Sequence, residues 1–412
     1  MKRIIIVGAG FAGLWSALGA ARELDEQGIP DKDVEILVIN PTDYHSIRVR
    51  NYEEPLEQSL VPLSEVLVPA GVAWMQGAVI DIDPAGQRVL VNTDESARHL
   101  DYDRLVLAAG SKLAHPPIPG LVEFAFDVDT YDGAKQLGDH LRSLPARPEA
   151  PGRYTAVVVG AGLTGVEIAA ELPSRLAAIV GDAARDDIRV ILADRTPKIS
   201  QGMGGAQPVI ERAMRELGVE LMPNFSLSAV DDRGIDLADG TRIDAATVIW
   251  CGGMHANPLA GKLNVPLDAL GRLPVDEFLR VKDVPGVFAA GDCARLLIDG
   301  ERPSVMSCQH GRPMGRYAGH NVVADLLGLD MLPLRIDWYT TILDLGPWGA
   351  VYTEGWDRHL VAEGAPAKQT KQLINGQRIY PPRRIRRDIL QAAAPVVQAP
   401  PPNYATIADQ KI

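Results

Sequence analysis

A chain of 412 residues is longer than one ordinary hydrophobic core of roughly 100 to 200 residues, so two or three domains are expected. A net charge of -12 excludes a broad basic face for gripping nucleic acid, and 46% hydrophobic with 23% charged residues excludes a disordered or fibrous chain. Cys251, Cys293 and Cys308 are too scattered for a disulfide framework or a CxxC pair, which implies a reducing, cytoplasmic setting and no metal. Neither a signal segment nor an apolar run of about 18 residues is visible, so no transmembrane helix is expected, and peripheral contact with the inner face of a membrane stays open.

The first predicted element is Arg3-Ile4-Ile5-Ile6-Val7, a β-branched run suited to the middle of a parallel sheet. It ends in Gly8, Gly10 and Gly13, and helical spacing of apolar residues follows from Leu14 to Leu24. Strand, GxGxxG and helix in that order make a dinucleotide site. The first glycine permits the turn, the second admits a pyrophosphate to the backbone amides, and the third lets the helix pack closely. Val34 to Ile39 is a second strand, ending at Asn40.

The plan then repeats. Thr155-Ala156-Val157-Val158-Val159 runs into Gly160, Gly162 and Gly165, a helical stretch to Leu176 follows, and the strand Ile188 to Ala193 ends at Asp194. Each unit closes on an apolar strand with small residues, Leu105 to Ala109 and Gly110 in the first, Val248 to Gly252 and Gly253 in the second. A single GxGxxG also arises in ordinary turns, whereas two in matching contexts read as one domain plan used twice. Asp194 would accept from a ribose 2′-hydroxyl and repel a 2′-phosphate, which favours NADH, while Arg195 beside it would suit a phosphate and keeps NADPH open.

With these motifs the chain resembles the pyridine-nucleotide-dependent flavoprotein oxidoreductases over residues 2 to 321. Pro285 to Ala294, PGVFAAGDCA, resembles that family's second FAD motif, which implies that Gly291 and Asp292 hold the flavin's ribityl chain. The resemblance further implies that Val79 meets the adenine and that Asn40 replaces an acidic residue on the adenosine ribose. Within the family, Pro41 to His45 with Arg48, the segment GAGLTGVEIAAEL from Gly160 to Leu172, and Met306 to His310 resemble type II NADH dehydrogenases, single-chain NADH:quinone oxidoreductases. By that resemblance Glu167 lies between nicotinamide and flavin and takes part in hydride and proton transfer, and Gln309 lies at the quinone mouth. Without it, Glu167 and Glu171 would be ordinary helix carboxylates facing water.

Gly311 and Pro313 predict a late start or kink in the helix after Gln309. His310 suits either proton donation to a reduced acceptor or a structural hydrogen bond. From Leu332 onward, Trp338, Tyr339, Trp348, Tyr352 and Trp356 precede the basic run Arg383 to Arg387, a composition that fits a membrane interface, a protein contact or a small packed layer.

The predicted fold is α/β with two Rossmann-like domains and a small C-terminal α+β domain. Residues 1–115 with 266–330 form a discontinuous FAD domain, 116–265 the NAD(P)H domain, and 331–412 the C-terminal domain with its proline-rich tail. A homodimer is expected. The expected chemistry is hydride transfer from NAD(P)H to FAD and onward electron transfer to a quinone. The alternatives are a reductase of a small electron-carrier protein docked on the basic run, and a cofactor-binding sensor of negligible turnover.

Overall fold

The computed structural model describes residues 1–30 and 32–401, so the end of the proline-rich tail lies outside the described residues. Lys2–Val7 places Ile4, Ile5 and Ile6 at zero exposure, as a strand covered on both faces must. It is the centre of a five-stranded parallel sheet in the order Val287–Ala289, Arg104–Leu107, Lys2–Val7, Val34–Asn40, Ala73–Gln76. The edge strand Val287–Ala289 returns to this sheet after the second one has been built.

The second sheet is parallel and four-stranded, in the order Val219–Met222, Arg189–Ala193, Thr155–Val159, Thr247–Trp250. Its side chains alternate between two cores: Val157, Val159, Ile191 and Ala193 face one, and Ala156, Val158, Val190 and Leu192 the other. The repeat extends beyond the glycine loops. Each parallel sheet is accompanied by a three-stranded antiparallel meander, Ala78–Asp83 to Ala97–Asp101 in the first unit and Leu227–Asp231 to Arg242–Asp244 in the second. The architecture is α/β with two Rossmann-like units.

A three-stranded antiparallel sheet, Thr340–Asp344, Ala350–Glu354 and His359–Gly364, opens the C-terminal part and leads into the helix Ala365–Leu373. Leu343, Leu345 and Val351 pack into the core of the second unit, whereas Ile379, Ile389 and Leu390 pack into that of the first. This segment therefore braces both units.

The helix Phe11–Glu26 after the first glycine loop is crossed by Cys308–Leu327 at backbone distance. A Cβ at Gly315 would stand 2.4 Å from the Ala12 carbonyl oxygen, and one at Gly319 2.2 Å from that of Ser16, so only glycine admits the crossing. The expected late start of this helix is not found: it begins at Cys308 and carries Pro313 inside it. Pro313 removes one hydrogen bond near the N-terminus, and at Gly311 a Cβ would meet Phe11 and Ala12 at ordinary contact distance, so the close approach is made further along, at Gly315 and Gly319. No helix among the described residues is long and apolar enough to cross a membrane.

Candidate active site between two glycine loops

Gly8 and Gly160 turn the chain out of their strands at φ +97° and +109°, a region that side-chain-bearing residues avoid. A Cβ on Gly13 would lie 1.9 Å from the Gly8 oxygen and one on Gly165 1.7 Å from the Gly160 oxygen, so each helix packs directly on its own loop. At Gly10 and Gly162 a Cβ would meet nothing, because both face open space. The helices Phe11–Glu26 and Leu163–Val180 carry no side-chain cap and no acidic residue in the first turn. Their terminal N–H groups are thus available to an anion, and the helix dipole favours one. Both ends open into one cavity of about 1080 Å³.

Two contacts hold each loop from behind. The Ala9 N–H donates to Asn40 Oδ1 at 2.9 Å, and the Ala161 N–H donates to Asp194 Oδ2 at 2.7 Å. The Ala9 carbonyl pairs with His45 Nδ1 at 2.8 Å, and Ser200 Oγ donates to the Ala161 carbonyl at 3.0 Å. Asn40 Nδ2 also donates to Thr42, at 2.9 Å to its carbonyl and 3.0 Å to its hydroxyl. Asp194 Oδ1 accepts from the Thr196 N–H and hydroxyl at 2.9 and 2.8 Å. Both strand-end residues therefore shape their loops, a use that the sequence pattern did not reveal. His45 is fully buried, and burial pushes its pKa down to about 4.

Gly8, Gly10, Asn40, Val79, Ala109, Gly110, Gly162, Gly165, Glu167, Gly253, Gly291, Asp292 and Gln309 all line the cavity, while Gly13, Gly160 and Asp194 support it from outside the lining. Asp292 Oδ2 accepts from Ser111 Oγ at 2.6 Å, and Arg48 Nη1 stands 3.7 Å away. Burial raises the Asp292 carboxyl against the pull of that hydroxyl and guanidinium. Arg48 also donates from Nε to Asp129 at 2.9 Å, which ties the first unit to the segment leading into the second.

Glu167 is not a solvated helix carboxylate. It is 6% exposed, and its Oε1 accepts from Lys371 Nζ at 2.7 Å and from the Asp344 N–H at 3.1 Å. Burial raises the Glu167 carboxyl in spite of the lysine. Burial also pulls the Lys371 ammonium down, but the adjoining carboxylate outweighs it, so Lys371 stays protonated. Lys371 lines the cavity and stands 5.7 Å over the Tyr52 ring. Sequence reasoning missed Lys371 and Tyr52; a lone lysine in a polar helix carries no local signal.

Gln309 sits in the first turn of the crossing helix, with Nε2 donating to the Thr340 carbonyl at 2.8 Å and Oε1 accepting from the Thr340 N–H at 3.2 Å. It joins that helix to the C-terminal sheet at the cavity wall. His310 lies outside the lining, fully buried against Tyr339 and Trp356, and burial pushes it down to about 4. Its Nδ1 accepts from the Val305 N–H at 3.0 Å. The three cysteines are free, and burial pushes Cys251 and Cys293 up to about 12, which leaves them poor nucleophiles.

Residues 2–315 match the family model described as pyridine nucleotide-disulphide oxidoreductase. An NADH dehydrogenase-like protein of Mycobacterium tuberculosis is 53% identical over 403 residues, covering 97% of this chain and all of that protein. The type II NADH:quinone oxidoreductase NdhA of the same organism is 30% identical, over 70% of this chain and 66% of its own length. Among solved structures, NDH2 of Plasmodium falciparum in complex with NADH superposes with a TM-score of 0.75 at 15% identity, over 95% of this chain and 97% of that one, a likeness of fold. With a family model spanning both glycine loops and a relative matching along nearly the whole length, the chain belongs to the pyridine nucleotide-disulphide oxidoreductase family.

Proposed function

We propose that the protein is a flavoprotein oxidoreductase that holds FAD on the first glycine loop and NADH on the second and delivers their reducing equivalents to a quinone. One observation carries this reading: two uncapped helix N-termini, each behind a glycine-lined opening, face a single cavity. At about 1080 Å³ it exceeds the roughly 300 to 1000 Å³ typical of a one-ligand pocket. The residues fit the groups they would hold. Gly10 and Gly162 leave room for a pyrophosphate at each helix end, Val79 borders the adenine region, and Asp292 with Ser111 offers paired oxygens to a polyol. Asp194 keeps a lone pair for a ribose hydroxyl of NADH and opposes the phosphate of NADPH.

FAD, when bound, supplies a carrier that accepts two electrons from the nicotinamide and releases them to a quinone. The chain's part is to orient both rings and exclude water, while Glu167 keeps the Lys371 ammonium charged at the cavity wall, where it can give a proton to the reduced acceptor. Gln309 fixes the acceptor side of the wall through Thr340. The curated relatives named as NADH:quinone oxidoreductases support the same acceptor class. A lipid-soluble quinone is met at a bilayer, and Leu329, Leu332, Val396 and Val397 are exposed apolar side chains available for peripheral contact.

In anaerobic stopped-flow mixing, NADH should bleach the yellow holoenzyme and menadione should restore the colour. If neither NADH nor NADPH bleaches it, or if colour returns only with a reducible carrier protein, the quinone reading fails.

A further inference from the structure

Three guanidinium groups gather where the crossing helix meets the C-terminal segment. Arg312 and Arg378 line the cavity, and Arg316, 6% exposed, lies behind Arg312. None of them forms an ion pair with a carboxylate among the described residues. The Nε atoms of Arg312 and Arg316 are buried without a partner. Among the described residues Arg378 is met by carbonyl oxygens, from Ala399 at 2.9 Å and Pro400 at 3.1 Å, and Arg316 by the side-chain oxygen of Gln398 at 3.2 Å. Burial pushes Arg312 down to about 10.

At Arg312 and Arg316 unpaired buried charge of one sign is expensive, and a guanidinium is too basic to escape by losing its proton, while the half-buried Arg378 adds a third positive charge at the cavity wall. The cluster is therefore built for an anion that the described residues do not supply. Trp15, fully buried, lies 5.1 Å beneath Arg312 and 4.2 Å beneath Arg316, which fixes the guanidinium planes by cation–π contact. The pyrophosphates are already provided for at the glycine loops, so this anion belongs to a different ligand. Next to the arginines the cavity is bounded by Trp338, Ile374 and Ile379, apolar walls that suit a flat ring.

We propose that Arg312 and Arg378 form an anion subsite on the acceptor side of the cavity that takes the ionised carboxylate or acidic enolate of a planar aromatic acceptor. The inference rests on the quinone reading and narrows it to quinones that bear an acidic substituent. The fork of each guanidinium would pair with two oxygens of that substituent and hold the ring against the apolar wall.

Titration of the oxidised holoenzyme with 2-naphthoate and with its uncharged analogue 2-naphthamide tests this, read by perturbation of the flavin spectrum. The carboxylate should bind about tenfold to a hundredfold more tightly than the amide, the range of one charge-assisted hydrogen bond. Arg312→Met and Arg378→Met should each remove most of that difference and leave amide binding nearly unchanged, and Arg312→Lys should restore part of it. Should Arg312→Met fail to fold, Arg378→Met carries the same comparison. Equal binding of the two probes by the wild-type protein, or equal loss of both in the variants, overturns the subsite. If naphthoate discrimination holds while menadione never reoxidises the reduced protein, the quinone reading falls and the anion subsite stands.

Discussion

The two glycine-loop units keep one backbone and grip it with different chemistry. Ala9 and Ala161 each give their N–H to the residue ending the second strand, but that residue is the neutral Asn40 in one unit and the charged Asp194 in the other. The carbonyls of the same two alanines are held by His45, which titrates, and by Ser200, which does not. At matching places along the two loop helices stand Trp15, under two guanidiniums, and Glu167, on an ammonium. The duplicated plan thus preserved the hydrogen bonds that shape the loop and let charge diverge.

The largest effect is expected where the second unit's charge is buried. Removing one partner of a buried ion pair costs roughly 3 to 5 kcal/mol, because the other is left uncompensated. Glu167→Gln should lose about that much in denaturant unfolding, and Glu167→Gln combined with Lys371→Met should regain most of it. Bleaching by NADH should also slow by about tenfold to a thousandfold in Glu167→Gln, as loss of a positioned carboxylate implies. A double variant no more stable than the single would show that the pair does not act as one.

Next come the glycines that pack each helix on its loop. A methyl group at Gly165 would lie 1.7 Å from the Gly160 oxygen, and overpacking of this kind costs about 1 to 3 kcal/mol or more. Gly165→Ala should keep its flavin and bind NADH at least tenfold more weakly in a titration, whereas Gly13→Ala should be purified with little flavin. If each variant lost the other cofactor, the assignment of loops to ligands would be reversed.

The loops were legible in the sequence because their signals are local: a β-branched run, three glycines and a periodic helix lie within one short stretch, twice. Asp292 was singled out by the resemblance of Pro285 to Ala294 to a family motif, and it lines the cavity. The charge chemistry was not legible. Lys371 reaches Glu167 across 204 residues, and nothing near Lys371 marks it as buried. A late start of the crossing helix was expected because Pro313 reads as a breaker, whereas the helix begins at Cys308, and the meaning of the Gly315 and Gly319 spacing depends on what lies opposite. At Asn40 and Asp194 the pattern supplied the acceptor atoms but not the loop N–H that engages one of them.

Asp194→Asn gives the second unit the residue of the first. The amide oxygen can still accept from Ala161, so the loop should persist while the charge proposed to face the ribose disappears. A charge-assisted bond exceeds a neutral one by about 1.4 kcal/mol, or tenfold, and the NADH to NADPH ratio of kcat/KM should fall by about that factor. Asp194→Ala, which also releases the loop, should fall further. An unchanged ratio in both variants would mean that the carboxylate serves the loop alone.

The smallest effect separates the units by pH. His45 has an ordinary pKa of 6.5 when exposed and about 4 when buried, so the folded first unit favours its neutral form. A group depressed in this way contributes stability that is complete above 6.5 and is lost as the pH falls toward 4. The loss should be about 1 kcal/mol near pH 6 and steepen toward about 1.4 kcal/mol per pH unit below it. Charging the ring disfavours its buried place behind the first loop, so flavin release on acidification should report it. Ser200 holds the second loop by a hydroxyl with no titration in this range. His45→Ser would give the first loop the anchor of the second. It should bind FAD more weakly at neutral pH and release it with a shallower pH dependence than the wild-type protein. Parallel release curves for the two proteins would assign the acid sensitivity to another buried group.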